Sequence, residues 1–177
     1  MLRVAIISDT HIPTRANRLP DWVRTRIQRA DYTIHAGDFD SADALASVRE
    51  LTDGNLTAVA GNTDPRSLRL PDVATRELGG VAFVVTHGTG PKRGYRRRVA
   101  NTVHEIGEEI AGNAAEEPGT VPVVGVSGHT HRVMDEEVDG IRLLNPGSAT
   151  GAAPARSATM LVAIVEDGNL TVQMHES

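Results

Sequence analysis

The sequence predicts an α/β fold in which two mixed β-sheets face one another and are flanked by helices. Three observations predict it. Up to Asp64, strand-like apolar runs alternate with amphipathic helical stretches; from Val73 onward, strand-like runs follow one another through turns such as Gly79-Gly80 and Asp139-Gly140; and one long helical stretch interrupts that second series. Alternation of strand and helix argues for right-handed crossovers and a largely parallel sheet, whereas short strands joined by Asp-Gly turns argue for hairpins.

The elements follow in order. Leu2 to His11 (LRVAIISDTH) opens as a continuous apolar, β-branched run, which predicts a strand buried on both faces and ending at Ser8 or Asp9. Pro20 and Asp21 then start a helix carrying Trp22, Val23, Ile27 and Ala30 on one face. Asp31–Asp38 and Asn55–Asp64 read as further short strands that end in Gly plus a polar residue, with SADALASVREL between them as a second helix. In such a sheet the polar residues gather at the carboxyl ends of the strands. The later strands are VATREL, VAFVVTHG, VPVVGVSGHTH, VMDEEVDGIRLLNPGS and SATMLVAIVEDGNLTVQM, and together they predict a second, mixed or antiparallel sheet. Between two of them, a helix from about Tyr95 to Ala114 places Val99, Val103, Ile106 and Ile110 near helical spacing, and NAAEEPGT reads as a solvated loop.

At 177 residues the chain has the length of one domain, and residues 1–177 are read as such. Its formal charge of -5 provides no basic footprint for nucleic acid. The absence of cysteine excludes disulfides, thiolate nucleophiles and Cys-rich zinc cages, so any metal here has imidazole, carboxylate or amide ligands. No apolar window approaches a membrane span and no basic leader precedes the first strand, so a cytoplasmic location is expected. The sequence is compatible with a homo-oligomer.

Five strand-like runs end in residues able to ligate a metal: SDTH, AGDFD, AGNTD, THG and SGHTH. Residues two apart on extended backbone point the same way, so Asp9 with His11, and His129 with His131, can converge on ions. One D-x-H alone is more often a turn or cap; the repetition at strand ends carries the inference. Glycines before Asp38, Asn62 and His129 suit backbone that turns sharply and approaches an ion closely, although strand-end turns use glycine as well.

The ordered series Asp9-Thr10-His11, Gly37-Asp38, Gly61-Asn62, His87-Gly88 and Gly128-His129-Thr130-His131 resembles that of the calcineurin-like metallophosphoesterases, and specifically their small archaeal and bacterial phosphodiesterases. Asn145 to Ser148 (NPGS) extends the likeness toward the C-terminus. The resemblance implies a four-layer α/β/β/α sandwich. It implies that Asp9, His11, Asp38 and His131 hold one divalent ion and that Asp38, Asn62, His87 and His129 hold the other, Asp38 bridging. It implies a metal-bridging hydroxide as nucleophile, Mn²⁺ as the favoured metal with Ni²⁺, Co²⁺, Fe²⁺ or Zn²⁺ also suited to such ligands, and a small phosphodiester as substrate. With only Asp9 and Asp38 counted as anions, two divalent ions would leave the site at about +2, attractive to phosphate.

The chain departs from the family pattern in two places. Thr63, followed by Asp64, stands where many members carry a histidine that protonates the leaving group, and Thr89 stands where close relatives have a second histidine after His87-Gly88. Asp64 is expected to orient a ligand from behind. Arg15, four residues beyond His11, is the expected phosphate contact, with Asn62; Arg93, Arg96, Arg97 and Arg98 read as a solvated basic face, His35 as a core histidine, and His104 and His175 as surface residues. The same ions would also serve a phosphomonoesterase or nucleotidase, and the fold resembles the retromer scaffold subunit, a protein-binding module.

Overall fold

A computed structural model describes residues 1–113 and 121–177; Ala114 and nearly all of the expected NAAEEPGT loop lie outside the described residues. Among the described residues, ten strands form two five-stranded sheets. The first has the order β10-β9-β1-β2-β3, built from β1 (Leu2–Ile7), β2 (Tyr32–His35), β3 (Leu56–Ala58), β9 (Thr159–Glu166) and β10 (Asn169–Glu176). The second has the order β4-β5-β6-β8-β7, built from β4 (Val73–Leu78), β5 (Val81–Thr86), β6 (Val123–Val126), β7 (Val133–Val138) and β8 (Ile141–Pro146). Among the described residues there are also three α-helices, α1 (Asp21–Gln28), α2 (Ala42–Leu51) and α3 (Tyr95–Asn113), and one 3-10 turn, Arg66–Leu68.

Strand periodicity sorts the side chains into layers. Along β1, Val4 and Ile6 face the second sheet, where they meet Phe83, Val85, Val126 and Leu144, while Ala5 and Ile7 face α1 and α2 through Val23, Ile27, Leu45 and Val48. On the far side of the second sheet, Val84 and Leu143 pack against Tyr95, Val99 and Val103 of α3. The result is helix, sheet, sheet, helix, with the sheet-to-sheet core in the middle. Burial on both faces is what the continuous apolar reading of β1 required, since Val4 through Ile7 are each 0% exposed.

One strand assignment is corrected. The C-terminal hairpin β9–β10 does not join the second sheet; β9 pairs antiparallel with β1, so the first sheet is also mixed. Strand β9 buries Leu161, Ala163 and Val165 between the sheets and Met160 and Val162 under the helices. Its apolar run therefore announces two covered faces without saying which sheet it completes. Strand β1 also ends at Ile7, earlier than expected, because Asp9 turns to a φ of 52° and its N–H donates to Gly37 O at 3.0 Å.

Strands β1, β2 and β3 run parallel, as do β5, β6 and β8, and their carboxyl ends lie at one edge of the sandwich. The two sheets are tied together at that edge by Ala149 N–H donating to Ser8 O at 3.0 Å and by the His129 N–H donating to the Asp9 carboxylate at 3.0 Å.

The packing of α3 on the second sheet has a steric signature. A Cβ added at Gly125 of β6 would lie 2.6 Å from Leu143 Cδ2 and 2.7 Å from Val103 Cγ2. Gly125→Ala is therefore expected to destabilise by about 1–3 kcal/mol through overpacking. Adding Val103→Ala should return part of that loss, a favourable coupling of about 0.5–3 kcal/mol in denaturant melts; strictly additive effects would contradict this placement of α3.

Candidate metal centre

All seven side chains expected from the strand ends come together at the shared edge. Asp9 Oδ1 lies 3.2 Å from His131 Nε2 and 3.9 Å from both His11 Nε2 and His87 Nε2. Asp38 Oδ2 lies 3.2 Å from His87 Nε2 and 3.6 Å from His11 Nε2. Asn62 Oδ1 completes the far side, 3.0 Å from His87 Nε2 and 2.9 Å from His129 Nδ1. Two triads, Asp9 with His11 and His131, and Asp9 with Asp38 and His87, have the spacing of metal-ligand groups. Asp9 is common to both triads, and Asp38 Oδ2 lies between the imidazoles of His11 and His87. Asp9, His11, Asp38, His87 and His131 are buried, whereas His129 is half-buried and Asn62 exposed, so the cluster opens to solvent on the Asn62 side.

The outer nitrogens of the four imidazoles set their tautomers. His87 Nδ1 donates to Ala36 O at 2.6 Å, His131 Nδ1 to Ala152 O at 2.8 Å, His129 Nε2 to Gly90 O at 2.7 Å, and His11 Nδ1 to Asp40 at 3.0 Å. An oxygen acceptor outside fixes the proton there and leaves a lone pair inside. His11 Nε2 and His131 Nε2 consequently face each other at 3.2 Å with no proton to share when both rings are neutral. Together with Asp9 Oδ1, Asp38 Oδ2 and Asn62 Oδ1, the interior is a set of acceptors aimed at one another. Divalent cations with nitrogen and oxygen preferences fit this donor set.

The backbone holds these groups in an unusual way. Asp9, His11, Asp38, His129 and His131 have φ values of 52°, 46°, 61°, 71° and 58°. Convergence of Asp9 with His11, and of His129 with His131, thus arises from left-handed turns beyond the strands and not from the extended alternation anticipated above. Left-handed backbone costs on the order of 1–2 kcal/mol for a residue with a Cβ, a sum comparable with the net stability of about 5–15 kcal/mol of a whole domain. Hydrogen bonds offset it.

Asp64 supplies four of them. Its carboxylate accepts from the N–H groups of Asp38 (2.9 Å), Phe39 (2.7 Å), Asp40 (2.9 Å) and Gly61 (2.8 Å), clamping the loop after β2 to the loop after β3. That close approach demands glycine, since a Cβ at Gly61 would sit 2.0 Å from Asp38 Oδ1. The NPGS turn is a brace as well. Asn145 Nδ2 donates to Gly128 O at 2.8 Å, Tyr95 OH donates to the same carbonyl at 2.6 Å, and Ser148 Oγ donates to Asp9 O at 2.7 Å.

Sequence reasoning missed Asp40. Its carboxylate meets His11 Nδ1 and accepts from the hydroxyls of Thr14 and Thr63; the second aspartate of AGDFD was its only signal. Asp40 and Asp64 also correct the count of two anions, because they add negative charge beside Asp9 and Asp38. Arg15 is exposed, with Nη1 donating to Ala153 O at 2.8 Å. Arg96 pairs with Glu136 at 2.9 Å, and Arg98 donates to Gly88 O at 3.0 Å, bracing the loop after β5. His35 stays outside the cluster: it accepts from Gly37 N at 3.1 Å, stacks on Phe39, and burial pushes its pKa down to about 3, so it is a neutral core histidine.

A model of the calcineurin-like phosphoesterase superfamily domain matches residues 2–168. The chain belongs to the calcineurin-like phosphoesterase superfamily. A probable metallophosphoesterase of Methanothermobacter thermautotrophicus is 31% identical over 152 residues, spanning 83% of this chain and 77% of that one. A phosphodiesterase of Methanocaldococcus jannaschii is 27% identical over 168 residues, spanning 85% and 86%. Among solved structures, Vps29 of Entamoeba histolytica complexed with zinc superimposes with a TM-score of 0.75 at 20% identity, covering 99% and 98% of the two chains. An archaeal phosphodiesterase gives 0.65 at 21% identity, covering 98% and 100%. These two likenesses bear on the fold.

In this calcineurin-like phosphoesterase the charges of the metal-free cluster are linked to pH. Burial raises the Asp38 carboxyl, but its hydrogen bond and charge interaction with His87 and the donors of Thr63 reverse this and hold it well below the usual carboxylate range. Burial lowers His87 and His131, and their contacts with Asp38 and Asp9 respectively overcome it, so both are raised above 6.5. A raised histidine contributes stability that is full below about pH 6.5 and lost as pH climbs through the folded pKa. Ligation needs the neutral ring, so metal gains what the proton loses. The increase in Tm caused by excess Mn²⁺ should therefore grow from pH 6 to pH 8; a metal effect independent of pH across that window would contradict the linkage.

Proposed function

We propose that the protein is a binuclear metal-dependent phosphodiesterase acting on a small phosphodiester. The observation that carries this reading is the set of inward-facing acceptors, with each imidazole's outer nitrogen occupied by an oxygen. In this reading Asp9, His11, Asp38 and His131 would hold one divalent ion, and Asp38, Asn62, His87 and His129 would hold the second, with Asp38 shared between the two sets. Mn²⁺ is the favoured metal. The relative named a phosphodiesterase and the zinc complex of Vps29 support the choice of chemistry and of a divalent metal.

Two divalent ions, when bound, supply Lewis acidity toward phosphoryl oxygens and bring water to its ionised, nucleophilic form near neutral pH. The chain's own residues bind and orient. Asp40 fixes the ring of His11, Asp64 fixes the Asp38 and Gly61 loops, and Asn62 sits at the solvent-open rim where a phosphate oxygen arrives. Of the five N–H donors of Arg15, one is engaged by Ala153 O among the described residues, and the fork is available to a phosphate oxygen. In the slot of Thr63 no side chain is a proton donor of suitable strength, and the Thr63 hydroxyl is turned to Asp40. Diesters whose leaving group departs without protonation should be preferred.

Among the described residues no helix is long and apolar enough to cross a membrane. We read the chain as one catalytic domain of the cytoplasm.

Protein stripped with chelator and reloaded with two equivalents of Mn²⁺ should cleave bis(p-nitrophenyl) phosphate faster than p-nitrophenyl phosphate. Asp38→Ala or His129→Ala should cost about 100-fold or more in kcat/KM, and Arg15→Ala should raise KM. Failure to cleave either ester would defeat the reading; faster cleavage of the monoester would turn it toward a phosphomonoesterase. Metal-independent capture by a large protein partner, without turnover, would favour a scaffold.

A further inference from the structure

We propose that a concavity beside the candidate metal centre is a subsite for a second phosphate of the substrate, so that the preferred diesters carry a phosphate beyond the one that is cleaved. The inference rests on the phosphodiesterase reading and deepens it. The hollow, about 470 Å³, lies between the start of α3 and the loop that leads from β6 into β7, and it is lined by Lys92, Arg96, Arg97, Thr130 and Arg132. No carboxylate contributes to its lining among the described residues. Arg96 is paired with Glu136, whereas Lys92, Arg97 and Arg132 have no carboxylate partner among the described residues.

Location separates this patch from an ordinary solvated charge run. Arg132 directly follows His131, and Thr130 stands between His129 and His131 of the cluster. Lys92 follows closely on Gly90, whose carbonyl holds His129 Nε2 at 2.7 Å. Tyr95, which opens α3 and lines the hollow, stacks near His129 with ring centroids 6.4 Å apart. The same short segments that orient His129 therefore also build the basic wall. On a chain of net charge -5 this local excess of cations is out of character with the whole, and it adjoins a cluster whose interior contains the carboxylates of Asp9 and Asp38 and whose flanks carry those of Asp40 and Asp64. A phosphate in the hollow would be met by two guanidinium forks and an ammonium, the donor types suited to phosphate oxygens.

Thymidylyl-(3′→5′)-thymidine and its 5′-phosphorylated form differ by a single terminal phosphate. Binding and hydrolysis of both are compared for the Mn²⁺-loaded wild type, a Lys92→Gln/Arg97→Gln/Arg132→Gln variant, and a charge-keeping Arg97→Lys/Arg132→Lys variant. The wild type should bind and cleave the phosphorylated dinucleotide about tenfold better, a margin that shrinks with salt because exposed charges are screened. The glutamine variant should bring the ratio toward one, and the lysine variant should keep most of it. Equal binding and rates in the wild type, or a preference that survives in the glutamine variant, would overturn the subsite and leave the hydrolase reading intact. Preferential binding without cleavage of either dinucleotide, by protein that also fails on bis(p-nitrophenyl) phosphate, would sink the hydrolase reading while the anion subsite stands.

Discussion

Lone pairs of like character have been brought to a common point by two different sheets, and that crowding constrains everything around it. His11 Nε2 and His131 Nε2 are 3.2 Å apart, and the nearest oxygens of Asp9 and Asp38 are as close to neighbouring imidazoles. Acceptors in a buried place repel and lose their hydration, an arrangement that is costly unless protons or cations lie among them. Protons serve the metal-free molecule in part: burial lowers His87 and His131, but contacts with Asp38 and Asp9 overcome it and hold both above their ordinary pKa. Divalent cations would serve it more completely, satisfying nitrogen and oxygen together.

The surrounding structure is arranged to keep the groups from relaxing apart. Left-handed backbone at Asp9, His11, Asp38, His129 and His131 turns the ligand-bearing loops after β1, β2 and β6 sharply off their strands. Asp64, Asn145 and Ser148 then pin those loops through backbone N–H and C=O groups. None of the three points at the centre of the cluster. Their work is to convert the rigidity of the β-sandwich into fixed positions for side chains that would otherwise separate. Parallel strands make this economical, because one edge receives the carboxyl ends of β1, β2, β3, β5, β6 and β8.

Much of this was legible in the sequence because strand ends are punctuated. An apolar run closing in Gly-Asp, Gly-Asn or Gly-His reports both where a strand stops and that a polar group stands there, and repetition across the chain gave the seven residues that converge. Other features left no comparable trace. Asp40 lies on the far side of His11, and its role follows from a turn at φ 78° that no spacing rule describes. Asp64 could be suspected of acting from behind, but its four backbone partners are spread over two loops. The sheet that the hairpin β9–β10 joins is not encoded locally, because an apolar run reports burial and not neighbours; β9 finds β1 through tertiary packing. The left-handed turns leave no mark either, since Asp and His tolerate both left-handed and extended backbone.

Anomalous scattering from a crystal soaked in Mn²⁺ tests the central claim most directly. Two peaks about 3.5–4 Å apart, enclosed by Asp9, His11, Asp38, Asn62, His87, His129 and His131, are the predicted result. An absence of peaks among these side chains, or manganese bound elsewhere on the molecule while the imidazoles keep their protons, would contradict it.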